Sequence, residues 1–166
     1  MRTLFIEDRK KIEAIIRSCK TCYLAVNDAG KPYVLPMNFG MDGNCIILHG
    51  AREGRLWECL HRNPEVCINW TLGEELAWQD KHVGCSYRVR SRSVIVEGTA
   101  GIVEDPEEKY RLLQVLMAQY SDREFRFGAP SVCNVAVYRV PVNRITAKAF
   151  GVPARVRPGK GKGGRP

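Results

Sequence analysis

The chain has 166 residues, 45% of them hydrophobic, and a formal net charge of +8, which is enough apolar material for one domain whose core needs neither metal nor disulfide. No run approaches the ~20 apolar residues of a membrane-spanning helix, and the charged start from Met1 to Lys11 lacks the apolar region of a secretory signal. The composition therefore excludes a helical membrane protein, leaves no membrane partner to expect, and predicts a cytoplasmic one-domain enzyme or binding protein.

Charge and cysteine usage narrow this further. The segment Arg155 to Pro166 holds Arg155, Arg157, Lys160, Lys162 and Arg165 among glycines and prolines with no acid, so over half of the excess charge sits where no packed element can form. Residues 1–150 are expected to fold as one domain and 151–166 to form a basic, solvated tail. Salt-sensitive contact of that tail with anionic surfaces is a secondary reading, and nucleic acid is not the expected partner of the domain. Seven cysteines, Cys19, Cys22, Cys45, Cys59, Cys67, Cys85 and Cys133, lie mostly in apolar, strand-like runs and read as buried thiols of a reducing compartment. Cys19 and Cys22 form a CxxC, which suits a redox pair or half a zinc site. No second CxxC or spaced histidine pair accompanies it, which favours a helix-to-strand junction and no metal.

In chain order, Ile12, Ile15, Ile16 and Cys19 recur at helical spacing behind the acids Glu7 and Asp8, predicting a helix over 7–19. Strands are expected at Cys22–Asn27 and Lys31–Phe39 about the turn Asp28-Ala29-Gly30. Pro32 and Pro36 cannot donate to a ladder, so that second strand is expected at a sheet edge, at a bulge, or facing a ligand. Asp42-Gly43 predicts a further hairpin into Cys45–His49. Arg52–Leu60 is read as a short helix, Val66–Thr71 as a strand, Leu72–Gly84 as a loop, and Ser91–Ala100 as a long strand. Asp105-Pro106-Glu107-Glu108 starts a helix, with a capping Asp, Pro in the first turn and acids behind it. Tyr110, Leu113, Leu116, Met117 and Tyr120 form its expected apolar face. Val132–Val140 and Arg144–Lys148 are the last predicted strands. Six or more short strands with three helices predict a mainly β fold, an antiparallel barrel with helices packed outside. No GxGxxG loop supports a doubly wound sheet.

Spacing announces no nucleophile with its base. Ser86, Ser91 and Ser93 lack a GxSxG frame, and the histidines are His49, His61 and His82, so a cofactor-dependent reaction fits better than hydrolysis. The runs Pro32 to Gly40, Ile47 to Ala51, Glu53-Gly54-Arg55 and Asn63 to Cys67 stand in an order shared with one family. Arg92-Ser93-Val94 with Gly98, Asp105 with Glu108-Lys109, and Ile145-Thr146 with Lys148 continue that order. Together they resemble the pyridoxamine 5′-phosphate oxidase-like FMN-binding proteins, and the nearest branch is similar to the nitroimidazole-resistance proteins. The resemblance runs from about Asp8 to Phe150.

It implies an FMN-binding split β-barrel working as a homodimer, with two FMN sites at the subunit interface. Pro36, Met37 and Asn38 would lie along the isoalloxazine. The segment from His49 through Gly50 and Ala51 to Arg55 would surround the ribityl phosphate with Arg92, Ser93 and Val94, and Lys148 completes the implied site. His49 is the candidate proton donor, the alternative being a strand histidine that bonds a neighbour. The sequence departs from the family at Leu56, where members carry a lysine, and at Ser91, where they carry a tyrosine. The expected activity is transfer of electrons or hydride from FMN to a small acceptor such as a nitro compound. A non-catalytic flavin- or haem-binding protein on the same barrel is the alternative. A basic nucleic-acid-binding domain using the tail is a second.

Overall fold

The computed structural model describes residues 2–152, so Met1 and the tail from residue 153 onwards lie outside the described residues. The element order is β1 (Arg2–Phe5), α1 (Arg9–Ser18), β2 (Cys22–Asp28), β3 (Lys31–Met37), β4 (Phe39–Asp42), β5 (Cys45–Ala51), α2 (Arg55–Arg62) and β6 (Glu65–Ala77). A 3-10 turn at Gly84–Ser86 leads into β7 (Arg88–Thr99), then β8 (Gly101–Val103), α3 (Pro106–Ala118), α4 (Ala129–Asn134), β9 (Val135–Pro141) and β10 (Arg144–Val152).

Local chemistry starts α1 and α3 where expected, whereas α2 begins at Arg55 rather than Arg52, without a side-chain cap. Asp8 accepts from the amides of Lys10 and Lys11 and caps α1, which buries Ile12, Ile15 and Ile16. Asp105 accepts from the Glu108 amide at 2.8 Å with Pro106 in the first turn of α3. The strands form two antiparallel sheets, one ordered β1-β10-β7-β6-β2-β3 and the other β4-β5-β9-β8. As its prolines require, β3 is an edge strand. Both sheets turn one face onto a common core, Leu24, Ile68, Trp70, Val94 and Val96 from the first and Ile46, Leu48, Ala136, Tyr138 and Val140 from the second. Trp70 meets Phe39 edge to face, with ring centroids 5.3 Å apart. A second cluster of Ile47, Leu112, Leu113, Val132 and Val137 fastens α3 and α4 to the outside of the smaller sheet.

Four expectations need correction. The segment Leu72–Gly84 is not a loop throughout, because β6 runs on to Ala77 across a bulge between Leu72 and Glu75. The extra residue breaks the period-two pattern that would have marked the strand. The stretch Val132–Val140 is helical up to Asn134, with Pro130 in the first turn of α4; a short apolar run fits either state. On α3, Leu112 is in the core while Tyr110 is exposed and meets the Phe127 ring at 5.7 Å. The helix leans on a sheet at one side and on α4 at the other, so its buried face is wider than one stripe. Finally, Cys19, Cys22 and Cys59 are buried, but Cys85 and Cys133 are exposed, since one sits in the middle of the 3-10 turn and the other on α4.

Close approach of α3 to β4 depends on Gly40, where a Cβ would fall 2.7 Å from the Leu116 Cα and 3.0 Å from its amide nitrogen. Backbone cannot step aside as a flexible side chain can, so Gly40→Ala is expected to destabilise the fold by about 1–3 kcal/mol through overpacking. Equilibrium urea unfolding measures this, and an unchanged midpoint would show that the helix does not need this approach.

Candidate functional site

Strand alternation gives the six-stranded sheet two different faces. Residues of one parity, Leu24, Val26, Ile68, Trp70, Val94 and Val96, are buried in the core. Residues of the other parity face away from it. Pairing registers align them in rows: Lys148 beside Ser93 beside Thr71, and next to these Thr146, Ile95, Asn69, Tyr23 and Pro36. Tyr23 is 49% exposed and Ile95 37% exposed, so the chain leaves the apolar part of this face uncovered.

A polar cluster sits in the middle of it. The Asn69 side-chain amide donates to the Ser93 hydroxyl at 2.8 Å and to the Val94 carbonyl at 3.2 Å, and its Oδ1 accepts from the Thr71 hydroxyl at 3.2 Å. Both amide hydrogens are committed, which fixes the amide plane. Ser93, having accepted one bond, keeps its own proton to donate outward. Lys148 stands across the ladder from Ser93, its ammonium 5.1 Å from the centre of the Phe5 ring. Asn69 and Thr71 are not among the residues singled out from the sequence. Their signal is that they are the polar, outward-phase residues of an otherwise apolar strand.

The other predicted residues divide by the same parity. Pro36 and Asn38 are exposed while Met37 between them points into the core. Val94 is fully buried, and Arg92 lines a cleft of about 430 Å³ against α1 together with Lys11, Ile15 and Leu72. Of the triplet Arg92-Ser93-Val94, only the Ser93 side chain thus joins Lys148 on the outward face.

His49, Gly50 and Ala51 close β5 in the smaller sheet, and Arg55 opens α2 behind Gly54, whose φ is +87°. The His49 ring is half-buried and forms no hydrogen bond among the described residues, and burial holds its pKa below the ordinary 6.5. Arg55 is already engaged: its Nε donates to Asp28 Oδ2 at 2.8 Å and its guanidinium lies 4.0 Å from the centre of the Tyr33 ring. Asp28 also takes Arg62 at 2.7 Å, and these two hydrogen bonds hold its carboxyl below the usual range. Leu56 turns inward and packs on the main core. His49, Gly50 and Ala51 therefore stand on the smaller sheet and Arg55 on α2 against the β2–β3 hairpin, apart from the Ser93–Lys148 patch on the outward face of the larger sheet.

Among the described residues, no group of three or more His, Cys, Asp or Glu side chains could hold a metal ion. The two thiols of the CxxC point into the protein, Cys19 donating to the Ile15 carbonyl at 3.3 Å and Cys22 to the Met37 carbonyl at 3.5 Å. Burial pushes the Cys22 thiol up to about 12, which suppresses the thiolate that redox or metal chemistry needs.

Comparison with known proteins bears on this arrangement. Residues 8–149 match the family model described as pyridoxamine 5′-phosphate oxidase. The chain matches no curated protein. Among solved structures, it is 40% identical to a candidate 5-nitroimidazole antibiotic resistance protein from Bacteroides thetaiotaomicron, with a TM-score of 0.81 over 89% of this chain and 87% of that one. Two more distant structures share the fold. The flavocytochrome Anf3 from Azotobacter vinelandii is 21% identical, with a TM-score of 0.78 over 90% of this chain and 71% of that one. An FAD- and haem-binding protein from Mycobacterium smegmatis is 14% identical, with a TM-score of 0.80 over 92% and 76%. The two-sheet architecture is the split barrel expected from the sequence, and the chain belongs to the pyridoxamine 5′-phosphate oxidase family.

Proposed function

We propose that the protein is a homodimeric FMN-dependent oxidoreductase that passes electrons or hydride to a small acceptor, with a nitro compound as the favoured class. The carrying observation is the oriented Asn69–Ser93–Thr71 cluster, with Lys148 beside it, on an apolar sheet face that one protomer leaves uncovered. Family membership and the 40% identity to a nitroimidazole-resistance candidate support the choice of cofactor and acceptor.

The residues suit a flavin in chemical terms. Tyr23, Ile95 and Pro36 offer a flat apolar platform, Ser93 a hydroxyl donor to ring heteroatoms, and Lys148 a cation beside it. Bound there, FMN would supply the redox chemistry, and the protein would supply orientation and exclusion of water. Since His49 stands on the smaller sheet and Arg55 on α2 beside the tip of the β2–β3 hairpin, a second copy covering the outward face is the simplest way to bring both sets to one ligand. Arg55 is the candidate phosphate donor of the set. His49, without a hydrogen-bond partner among the described residues, is the group that would hand a proton to a reduced acceptor, from an imidazolium form that burial makes the minor one at neutral pH. The same unbonded imidazole favours the haem-binding alternative, which a Soret band in the purified protein would reveal.

Three results are expected. Light scattering should give a dimer mass, and Ile95→Asp, which sets a charge in the middle of the uncovered face, should give a monomer without flavin. A monomer that still holds FMN would sink the shared site. Arg55→Ala should weaken FMN by about tenfold to a hundredfold and leave riboflavin, which has no phosphate, nearly unchanged. Equal weakening of both ligands would remove Arg55 from the phosphate site. His49→Gln should keep FMN bound and lower kcat for a nitroaromatic acceptor by about a hundredfold. Because the folded pKa of His49 is depressed, its contribution to stability is present above the unfolded value of 6.5 and is lost as pH falls from there through the folded value. The substitution should flatten that part of the pH–stability curve, as thermal melts between neutral and mildly acid pH will show.

A further inference from the structure

The flavin reading leaves Arg92 without a task, although it stands next to Ser93 in sequence. Arg92 shares the phase of Val94 and so belongs to the inner side of the six-stranded sheet. The pairing registers set it in one row across four strands, with Leu72 on β6, Arg92 on β7, Ala149 on β10 and Leu4 on β1. That row is the floor of the cleft of about 430 Å³ against α1. One side of α1 is its wall, where Lys11, Ala14 and Ser18 recur at helical spacing.

The floor is apolar except for Arg92, which forms neither a hydrogen bond nor an ion pair within 4.0 Å among the described residues. Its Nη2 stands 3.6 Å from where a Cβ on Gly73 would lie, and its charge reaches the Cys19 thiol just past the end of α1. A guanidinium so placed could serve to cap the helix, but the last carbonyls of α1 already have donors. Ala14 accepts from the Ser18 hydroxyl, Ile15 from the Cys19 thiol, Ile16 from the Cys19 amide and Arg17 from the Gln119 side chain. The acids of the cleft, Glu7 and Asp8, lie at the opposite end of α1, where Asp8 is taken up by the first amides of the helix and by Lys11 at 4.0 Å. Arg92 thus keeps its donors for a molecule that enters the cleft.

We propose that this cleft binds a small organic monoanion, a carboxylate on an apolar body, with Arg92 taking the carboxylate and Leu4, Leu72 and Ala149 the body. The planar fork of an arginine matches a carboxylate through two parallel N–H···O bonds. A phosphate dianion would call for further converging donors and would meet Glu7 and Asp8 at the far end of the cleft. A neutral apolar molecule would cover the guanidinium and leave it unpaired, which is costly. The volume falls within the range of small-molecule sites. Arg92 and Ser93 belong to opposite sides of β7, so the cleft is distinct from the proposed flavin face and both can be filled at once.

Isothermal titration calorimetry of the full-length protein with 2-naphthoate, and with neutral 2-naphthamide as its control, tests the cleft. Naphthoate should bind at least about tenfold more tightly than the amide, with the same affinity in the presence and absence of FMN and with no change in flavin absorbance. Arg92→Gln should weaken naphthoate by about tenfold to a hundredfold and leave the amide nearly unchanged. Ala14→Phe, at an exposed position of α1 that lines the cleft, should fill the space and weaken both ligands. Circular dichroism checks the fold of each variant. Should Arg92→Gln fail to fold, Arg92→Lys takes its place and should still weaken naphthoate, since it keeps the charge and loses the fork. Absence of naphthoate binding up to millimolar concentration overturns the assignment. So does equal affinity for acid and amide, indifference of binding to the substitution at Arg92 or to Ala14→Phe, or a shift in flavin absorbance, which would place the naphthoate on the flavin instead.

Discussion

Pairing of β6 with β7 is the constraint on which the rest depends, because these two long strands carry the core on one face and the candidate site on the other. Trp70 faces Val94 and Ile68 faces Val96 across the ladder on the inner side, while Thr71 and Ser93 face each other on the outer side. A slip of one residue would expose Trp70 and drive Asn69 or Ser93 into the core. Each buried polar group left without a partner costs about 1–3 kcal/mol. The alternation that fixes the register therefore also fixes the Asn69–Ser93 hydrogen bond.

The bulge extends this logic beyond the barrel. Between Leu72 and Glu75 the β6 strand advances three residues while β7 advances two, and Gly73 takes a φ of +74° that suits the extra residue. The phase of β6 reverses there. Leu76 now pairs with Val89 on the outer side, and the stacked rings of Trp78 and Tyr87, 5.4 Å apart, follow them. On the inner side Ala77 and Glu75 pair with Arg88 and Arg90. Without the extra residue, Leu76 would share the arginine side and the outward apolar face would end at the barrel. One glycine-bearing bulge thus separates an apolar arm from a row of cations on the same pair of strands.

How far the sequence discloses this follows from the range of each signal. Caps and turns are local, so Asp8, Asp105 with Pro106, and the edge position of the proline-bearing β3 are legible from a few residues. The bulge at Gly73 is not, since it shows only as a broken alternation that looks like a loop. α4 escapes because six residues carry too little periodicity to distinguish helix from strand. At the site, Arg92, Ser93 and Val94 do not act as a unit, because neighbours on a strand point to opposite faces. The Asn69 cluster is invisible in the sequence because its partners, Ser93 and Val94, lie 24 and 25 residues away along the chain.

Arg55 shows how a cation can be held ready without being spent. Asp28 binds it through Oδ2 and Arg62 through Oδ1, so a carboxylate with two partners can release one and remain paired. Arg62 then keeps Asp28 from becoming an isolated surface charge at the tip of the β2–β3 hairpin. Tyr33 holds the guanidinium over its ring in the meantime, a contact that fixes the side chain at little electrostatic cost. Leu56, next in sequence, anchors the first turn of α2 in the core and keeps Arg55 on the solvent side of that turn. A lysine at position 56 would add a cation but take away this anchor. The start of α2 thus presents one arginine whose present partner, still paired with Arg62, can spare it.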